Sequence, residues 1–392
     1  MKQHNIKPAF GRQSDSTRRG AVAVYVAICT TVVMGMAALA VDIGMLYSAQ
    51  AEMQRTADAT ALAATADLLN EGRLQGGAYL EYLLDEARNT AVDAASRNAV
   101  LHSPSVVNSL DDVAFGYVSD LSNGGGIVYG GPNPPNAIAV TIHRDAGHGG
   151  AIALYFAQMF GKSEQTLSAQ ATAAFADGVV GYKVTPNSGN ADLLPFALHV
   201  DSWQGLLTGA VTTGDNYAYD QETGAVTTGS DGVPELNLYP GAGATQLPPG
   251  NFGTVDIGSP NNSTADIARQ ILYGINADDL SYFGGELRLG DDGTVLLNGD
   301  SGLSAGVKDE LEEIKGQPRA IPIFSQVSGP GNNAMYTVVG FVGIRIMNVQ
   351  LTGKMSNKNL IIQPAVVVDD STVVDPGPGP SYYVYRPVQL VH

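Results

Sequence analysis

Ser301 has the most suggestive catalytic surroundings in this sequence, because it lies in Gly-Asp-Ser-Gly at positions 299–302. This tetrapeptide surrounds the nucleophile in one class of serine protease, where a histidine base, an orienting aspartate and an oxyanion hole complete the machinery. His199 lies in Phe-Ala-Leu-His-Val and lacks the Ala-Ala-His-Cys setting that accompanies such a serine. We therefore favour a structural role, in which Ser301 or Ser304 caps a helix over "AGVKDELEEI". A membrane-tethered hydrolase that uses Ser301, Asp300 or His199 is the less favoured alternative.

Two acidic loops could offer oxygen ligands to calcium: "LGDDGTVLLNGD" at 289–300 and "TGSDGVPE" at 228–235. An EF-hand loop needs oxygens at alternate positions, a glycine at the sixth and a glutamate at the twelfth, and neither stretch supplies this set. We expect each loop to form a hairpin turn with Asp-Gly at its tip. His143 and His148 are five residues apart without a cysteine or glutamate set around them, so a metal site there is disfavoured.

Composition points away from most enzymes and from nucleic-acid binding. The sequence has no Walker loop, no Gly-x-Gly-x-x-Gly and no cysteine pair, so we predict a non-enzymatic protein without cofactor or bound metal. Its net charge of −17 disfavours nucleic acid as a partner, because an acidic surface repels phosphate backbones. The single cysteine, Cys29, excludes an intramolecular disulfide. With 47 glycines and only 15% charged residues, the chain has the composition of an exported, turn-rich β protein.

The element that must position everything else is an uncharged run of 22 residues from Gly20 to Val41, which includes Tyr25, Cys29 and Gly35. As a helix this run spans roughly 33 Å, enough to cross the hydrocarbon core of a bilayer. A secretory signal has a shorter apolar centre of about 7–15 residues, although "AALA" within this run imitates a cleavage site. We therefore predict a retained, single-pass anchor, with cleavage as the alternative.

Basic residues before this run predict its orientation. The head carries Lys2, Lys7, Arg12, Arg18 and Arg19, opposed only by Asp15. Cytoplasmic flanks are enriched in lysine and arginine, so the head is expected to stay inside. We therefore predict that the protein lies in the cytoplasmic (inner) membrane, with its N-terminus inside and the bulk of the chain periplasmic or otherwise extracytoplasmic.

Residues 18–64 resemble the N-terminal segment of TadG-like Flp pilus-assembly proteins. In that family Arg-Arg-Gly-Ala precedes an apolar run, which is followed by Val-Asp-Ile/Leu-Gly with an aromatic residue, then Leu/Met-Gln and Ala-Asp-Ala-x-Ala-Leu-Ala. This chain supplies the pattern in order, with Arg18, Arg19, Gly20, Ala21, Val41, Asp42, Ile43, Gly44, Tyr47, Met53, Gln54, Ala57, Asp58, Ala59, Ala61, Leu62 and Ala63. "AIAVTIHR" at 137–144 and "ALYFAQMFGKSEQTLSAQATAAF" at 153–175 resemble a strand, a helix and a closing strand of the same family. From Gly181 onward the chain resembles the longer, planctomycete-type C-terminal region of some members.

The resemblance implies a membrane-anchored structural component of the Flp, tight-adherence or type IVc, pilus assembly system, acting by protein–protein contacts outside the cytoplasmic membrane. The implied partners are pilus or pseudopilin subunits, other Flp/Tad assembly proteins and the lipid bilayer. Prepilin-like relatives are cut after a glycine followed by four residues and a glutamate, whereas Gly20 is followed by Ala21–Val24 and then Tyr25. This departure favours an unprocessed anchor, and a processed minor pseudopilin of the same system is the alternative.

Beyond the anchor, apolar residues recur mostly every three or four positions and predict one helical stripe: Ile43, Leu46, Tyr47, Met53, Ala57, Ala61, Ala64 and Leu68. We expect this stripe to pack on the sheet of its own domain, and packing on another copy of the helix is the alternative. Asp42 lies where the helix leaves the bilayer on the extracytoplasmic side, and we expect its carboxylate to be hydrated there and to set the depth of the helix. A contact between Asp42 and a pilus subunit or assembly protein is the alternative.

The predicted fold class is α+β. A single N-terminal transmembrane helix extends into a pilin-like helix packed on a small antiparallel sheet, and a β-rich α+β extracytoplasmic domain follows. The predicted division is a cytoplasmic basic head at 1–19, the transmembrane helix at 20–41, a TadG-like pilin-like domain at 42–178 and the β-rich domain at 179–392. Residues 176–194 are interpreted as a linker between the last two.

Alternating and turn-bounded apolar runs predict the elements of both domains. The first domain is expected to hold strands at 112–118 and 137–143, a short helix near Ala151–Phe160 and a strand near Thr166–Phe175. The second is expected to hold strands in "LLPFALHV", "GTVDIG", "ELRLG", "TVLLNG", "AIPIFSQV", "YTVVGFVGIRIMNVQLTG", "NLIIQPAVVV" and "YYVYRPVQLVH", with helices at Thr264–Tyr273 and Ser304–Ile314.

Overall fold

A single helix, α1 (Ser16–Asp67), unites the predicted anchor with the predicted juxtamembrane helix in 52 continuous residues. The computed structural model describes residues 16–75, 77–122, 126–186, 188–238, 252–258, 263–300, 304–329, 334–354 and 357–391. Along 22–41 all side chains are exposed except Gly35 and Ala38, which are half-buried. No proline interrupts α1, so no proline kink separates residues 22–41 from residues 42–67.

The buried face of α1 begins at Asp42 and consists mainly of small residues. The apolar side chains of α1 with no exposed surface are Ala49, Met53, Ala57, Ala61 and Ala64; Leu68, directly after the helix, is also fully buried, as are the polar Thr60 and Thr65. The predicted stripe is thus confirmed in its second half, but it is wrong at Ile43 and Tyr47, which are 51% and 76% exposed. The face that meets the sheet starts at Asp42 and continues through Ala49 and Met53, so positions 43 and 47 are turned outward.

A second helix, α2 (Gly77–Arg97), packs against α1 and is absent from the predicted elements. A 3-10 helix over Glu71–Gln75 joins the two. Ala87, Ala91 and Ala95 of α2 lie in the same buried cluster as the α1 alanines. Because alanine faces allow close approach of two helices, the pair forms one thin layer over the sheet.

Short and long strands follow α2 in the N-terminal part of the chain. They are β1 (Ala99–Val100), β2 (Ser103–Pro104), β3 (Val113–Gly116), β4 (Ala137–Arg144), β5 (Ile152–Ala153), β6 (Glu164–Gln165), β7 (Leu167–Ala176) and β8 (Val179–Tyr182). The strands predicted at 112–118, 137–143 and Thr166–Phe175 are confirmed as β3, β4 and β7. The short helix predicted near Ala151–Phe160 is wrong, because β5 pairs with β6 and only Ala157–Phe160 forms a 3-10 turn.

The C-terminal part contains the helices α3 (Val200–Leu207), α4 (Thr264–Tyr273), α5 (Ala277–Ser281) and α6 (Lys308–Glu313). Its strands are β9 (Phe196–His199), β10 (Tyr217–Tyr219), β11 (Val226–Thr228), β12 (Leu236–Asn237), β13 (Phe252–Val255), β14 (Leu287–Arg288), β15 (Val295–Asp300), β16 (Pro318–Ser328), β17 (Ala334–Gln350), β18 (Asn359–Pro364), β19 (Val367–Val368), β20 (Thr372–Val374) and β21 (Val384–Val391). Every strand predicted there is confirmed, as is the helix at Thr264–Tyr273. The helix predicted at Ser304–Ile314 is a 3-10 turn followed by α6, and α3 and α5 were not predicted.

The sheet beneath α1 draws strands from both ends of the chain, in the order β19-β21-β7-β4-β3. Strands β4 and β7 pair antiparallel from Ala137 opposite Ala174 to Arg144 opposite Leu167. The final strand, β21, pairs antiparallel with β7. The chain therefore crosses the predicted boundary at 178 and 179, and its last residues return to the N-terminal sheet.

The main C-terminal sheet is closed on itself. Its order is β12-β18-β17-β15-β13-β9-β16, and β16 pairs in addition with β17, so that β17, β15, β13, β9 and β16 form a ring. Only the β9–β16 pair in this ring is parallel. Large apolar side chains, among them Trp203, Phe324 and Phe341, are fully buried around it.

Two turn assignments need correction. The stretch 176–194 is not a linker, because β8 within it is buried and pairs with β14 and β20. In the loop at 289–300 the chain does reverse at Asp292-Gly293, where Gly290 N donates to Thr294 O at 2.8 Å. Neither acidic loop joins two paired strands, however, because the strands on either side of each loop have different partners. Strand β14 pairs with β8 while β15 pairs with β13 and β17, and β11 pairs with β10 while β12 pairs with β18. A Gly-rich turn predicts a reversal of the chain, but it does not specify which strand is the neighbour.

Candidate functional site

The anchor presents an apolar surface on all sides. The most hydropathic window of α1 has a mean hydropathy of 2.2 and buries none of its residues in the rest of the protein. Tyr25 is 70% exposed, and Cys29 and Val41 are exposed as well. The hydroxyls of Thr30 and Thr31 donate to the carbonyls of Val26 and Ala27 at 2.8 and 2.9 Å, so these polar groups are satisfied within the helix. This surface is the one that a lipid-facing helix needs.

Asp42 ends the apolar surface and holds a distant loop. Its Oδ1 accepts the backbone N–H of Tyr155 at 2.9 Å, and its Oδ2 accepts those of Phe156 and Ala157 at 2.9 and 2.7 Å. The residue is only 3% exposed. The expectation of a hydrated carboxylate is therefore wrong, because the three N–H groups replace its water. We call this arrangement the Asp42 contact.

Electrostatics agree with an ionised Asp42. Burial raises the pKa of its carboxyl, but the three backbone hydrogen bonds together outweigh burial and hold the pKa below the ordinary value of 3.8. The same three N–H groups lie at the start of the 3-10 turn Ala157–Phe160, where they have no helical acceptor. The carboxylate thus satisfies donors that the turn itself leaves free.

Side chains on α1 fix which end of the sheet lies near the anchor. Gln50 Nε2 donates to Ser168 O at 3.1 Å, Gln54 Nε2 donates to Gln170 O at 3.1 Å, and Thr65 Oγ1 donates to Ala173 O at 3.3 Å. Positions along α1 and β7 therefore increase together. The hairpin β5–β6, which precedes β7, lies at the end of the domain that faces the anchor.

The residues of the family pattern have separate places in this arrangement. Ala57 is buried against the sheet, and Gln54 bridges Asp58 and β7, because its Nε2 also donates to Asp58 Oδ1 at 2.9 Å. Gly44 and Tyr47 lie on the exposed side of α1. Arg18, Arg19 and Gly20 belong to the first turns of α1.

A buried ion pair joins the turn after α1 to the C-terminal part. Arg345, 2% exposed, donates from Nη2 to Glu71 Oε1 at 2.7 Å and from Nε to Gly316 O at 2.9 Å. Its guanidinium lies 3.4 Å from the ring centre of Tyr219. Beside this pair is a cleft of about 580 Å³, whose lining includes the carboxylates Asp67, Glu86, Asp220 and Glu222. Neither Glu71 nor Arg345 was singled out from sequence, since their positions are far apart in the chain.

The candidate catalytic residues do not assemble a reactive group within the described structure. His199 Nδ1 accepts the N–H of Asp201 at 3.2 Å and caps α3, so its Nε2, 3.1 Å from Ser325 O, is the donor. Both nitrogens are thereby engaged with backbone. Asp300 ends β15, where its carbonyl accepts the hydroxyl of Tyr336 at 3.2 Å. Ser301 lies outside the described residues, and Ser304 caps the following 3-10 turn.

The two histidines considered for metal binding surround an aspartate instead. His148 Nε2 and His143 Nε2 lie 3.1 and 3.4 Å from the carboxylate of Asp112, and His148 Nδ1 lies 2.7 Å from Asp145 Oδ1. The hydrogen bond to Asp145 is the main reason why the pKa of His148 lies above its ordinary value. Over the described ranges no three His, Cys, Asp or Glu side chains are grouped so that they could hold a metal ion. The arrangement joins β4 to the loops around it.

Comparison with known proteins gives two family matches. The TadE/G-like Flp pilus-assembly family matches residues 20–67. The Tad-like Flp pilus-assembly family matches residues 48–173. The matches overlap on the packed half of α1 and end within β7. No curated protein and no solved structure matches the chain.

Proposed function

We propose that this chain, a TadG-like Flp pilus-assembly protein by its two family matches over residues 20–173, is a membrane-anchored structural component of the Flp pilus assembly system. In this role its domains bind other assembly components outside the cytoplasmic membrane and catalyse no reaction.

One observation carries the proposal: α1 is a single helix that is exposed and apolar in its first half and packed on a sheet in its second. A folded domain that shares a helix with a membrane span cannot rotate freely against the bilayer. The Asp42 contact adds a second attachment where the span ends. Such a rigid attachment suits a component that must present its surface to neighbouring subunits at a fixed distance from the membrane.

The proposed orientation places the N-terminus in the cytoplasm and residues after Asp42 outside. It rests on the five basic residues of the head, which are opposed only by Asp15, because cytoplasmic flanks of a span are enriched in lysine and arginine. A reporter enzyme that is active only outside the cytoplasmic membrane, fused after Asn70, is expected to be active. Activity of a cytoplasmic reporter alone at this position would contradict the orientation.

The proposed partners are pilus or pseudopilin subunits and other Flp/Tad assembly proteins. The cleft beside Arg345 supports this choice, because four carboxylates line it together with Tyr79, Tyr82 and Tyr219. Tyrosine is enriched at protein interfaces, and carboxylates attract basic groups of a partner.

Deletion of the gene tests the role. The deletion is expected to reduce surface piliation and adherence, and the full chain is expected to restore both. A version with Val33→Asp in the anchor is expected not to restore them, whereas Ala51→Asp on the exposed side of the packed half is expected to restore them fully. Normal piliation without the protein would overturn the proposal.

Intact-mass measurement distinguishes an anchor from a fibre subunit. The purified protein is expected to keep the residues before Gly20, because Tyr25 stands where prepilin-like relatives have a glutamate. A mass that corresponds to cleavage after Gly20 would instead support a processed minor pseudopilin.

A further inference from the structure

We propose that the segment between β5 and β6, residues 154–163, lies in the headgroup region of the membrane and forms a second, non-spanning contact with lipid. We call this segment the aromatic turn. The proposal rests on the membrane anchor proposed above and adds to it an interaction surface with a stated partner, the phospholipid interface.

The position of the aromatic turn follows from its contact with α1. Asp42 is the first residue after the uncharged run, and its carboxylate binds the backbone of Tyr155, Phe156 and Ala157 at 2.9 Å or less. The backbone of the turn is therefore at the same height as the end of the span. Since β7 runs away from the anchor alongside α1, no other part of this hairpin separates the turn from the bilayer.

The surface of the aromatic turn is unusual for a part exposed to water. Tyr155, Met159 and Phe160 are 63%, 82% and 76% exposed, and Phe156 is 38% exposed. The hairpin itself is well anchored, because Ile152 and Leu154 are buried and Leu154 N donates to Ser163 O at 2.8 Å. A well-held turn that presents four large apolar side chains outward indicates a partner surface.

The chemistry of the turn fits lipid. Tyrosine and other aromatic residues are enriched where a protein crosses the membrane–water interface, because one part of the ring is apolar and its edge can meet polar groups. Lys162, which is exposed at the end of the turn, supplies a positive charge at the height of the phosphates. The apolar surface of the span lies next to the turn, so the same bilayer that surrounds α1 at residue 41 must come close to Phe160 and Met159. A pilus subunit would meet this surface only after displacing that lipid.

Tryptophan scanning tests the depth of the turn in the full chain. The protein contains one tryptophan, Trp203, which is fully buried in the C-terminal part and supplies a constant background. Phe160→Trp and Met159→Trp are made separately, and each protein is reconstituted into vesicles of phosphatidylcholine with or without bromine on its acyl chains. The added emission is expected to lie at shorter wavelength than that of an exposed tryptophan and to be largely lost in brominated vesicles.

Two control variants separate the possible failures. Val33→Trp lies in the span and is expected to be quenched, whereas Tyr273→Trp, on α4 of the C-terminal part and 66% exposed in wild type, is expected to be unaffected. Quenching at position 33 but not at 159 or 160 would overturn the lipid contact and leave the anchor intact. Loss of quenching at position 33 as well would overturn the anchor itself. Unchanged circular dichroism in each variant confirms that the fold is retained.

Discussion

Residues 22–41 and residues 42–67 belong to the same helix, yet only the second half of α1 buries a face within the protein. The first half leaves nearly every side chain outside the protein, including bulky residues such as Val33, Met34 and Met36 at 63–67% exposure. The second half hides a face of alanines under α2, β4 and β7. Both halves are rich in apolar residues, so hydrophobicity alone does not distinguish them.

What distinguishes the halves is the size and placement of their apolar residues. Large aliphatic side chains all round α1 suit lipid, which accepts any shape, whereas a packed face needs small residues at regular spacing so that strands can approach. Asp42 marks the point of change, since its carboxylate belongs to the protein side and its neighbour Val41 is exposed. The following predictions test this division, beginning with the largest expected effect.

The same substitution in both halves gives the largest contrast. Ala27→Asp places a charge near the middle of the span and is expected to oppose membrane insertion by about 2.5–3.5 kcal/mol. Ala51→Asp introduces the same side chain on the exposed side of the packed half and is expected to have little effect. The fraction of protein that resists extraction of membranes at high pH measures both. Similar losses in the two variants would show that the boundary at Asp42 is misplaced.

Enlarging one alanine in each half tests the packing directly. Ala61 has no exposed surface, so Ala61→Leu is expected to lower the free energy of unfolding by about 1–3 kcal/mol through overpacking. Ala27 is exposed on the span, so Ala27→Leu is expected to leave the free energy of unfolding unchanged. Thermal unfolding of the detergent-solubilised chain, followed by circular dichroism, measures the difference. Tolerance of leucine at position 61 would show that the helix layer is loosely packed.

Features that depend on local spacing could be predicted from the sequence. The span, the buried stripe at Met53, Ala57 and Ala61, and the strands β4 and β7 all follow from periodicity or alternation along a short segment. The helix α2 is absent from the predicted elements, although Ala87, Ala91 and Ala95 recur every four residues among charged neighbours such as Glu86 and Arg88, a spacing that indicates a helix.

Features that depend on distant partners could not be predicted. Asp42 binds the backbone of Tyr155, Phe156 and Ala157, which follow it by 113, 114 and 115 positions. Arg345 pairs with Glu71 across 274 positions. Nothing in the residue types selects these partners, because any backbone N–H or carboxylate would satisfy them equally. The run "LYFAQMF" predicts part of a short helix, but five of its seven residues are large and apolar, which leaves too small a polar face for a surface helix.

Neutralising Asp42 is expected to loosen the aromatic turn without unfolding the helix. Asp42→Asn keeps one acceptor oxygen but points an N–H₂ group at backbone donors, so the amides of Tyr155, Phe156 and Ala157 should exchange with deuterium roughly tenfold faster. Because the pKa of Asp42 in the folded protein lies below the ordinary 3.8, the contact stabilises above that pH and is lost as pH falls through the lowered pKa.

Deuterium exchange corrected for intrinsic pH dependence checks the prediction for Asp42. Wild type is expected to lose protection at these three amides only under acidic conditions, whereas Asp42→Asn is expected to show the roughly tenfold faster exchange at every pH. Ser48→Ala, on the exposed side of α1, is the control and should leave them protected. Equal protection in Asp42→Asn and wild type would show that the carboxylate does not hold the turn.

The smallest expected effects come from three threonines on α1 whose hydroxyls have different surroundings. Thr65→Val loses a bond to Ala173 O of 3.3 Å and is expected to lower the free energy of unfolding by about 1 kcal/mol. The hydroxyl of Thr60 is buried and has no partner within the described part of the chain. Thr60→Val is therefore expected to raise the free energy of unfolding by up to about 1 kcal/mol. Thr31→Val loses only a bond to Ala27 O in its own helix, and in lipid this should be neutral. Unfolding of the three variants under identical conditions ranks them, and destabilisation by Thr60→Val would reveal a polar partner between α1 and the sheet, contrary to a face that packs through small apolar residues.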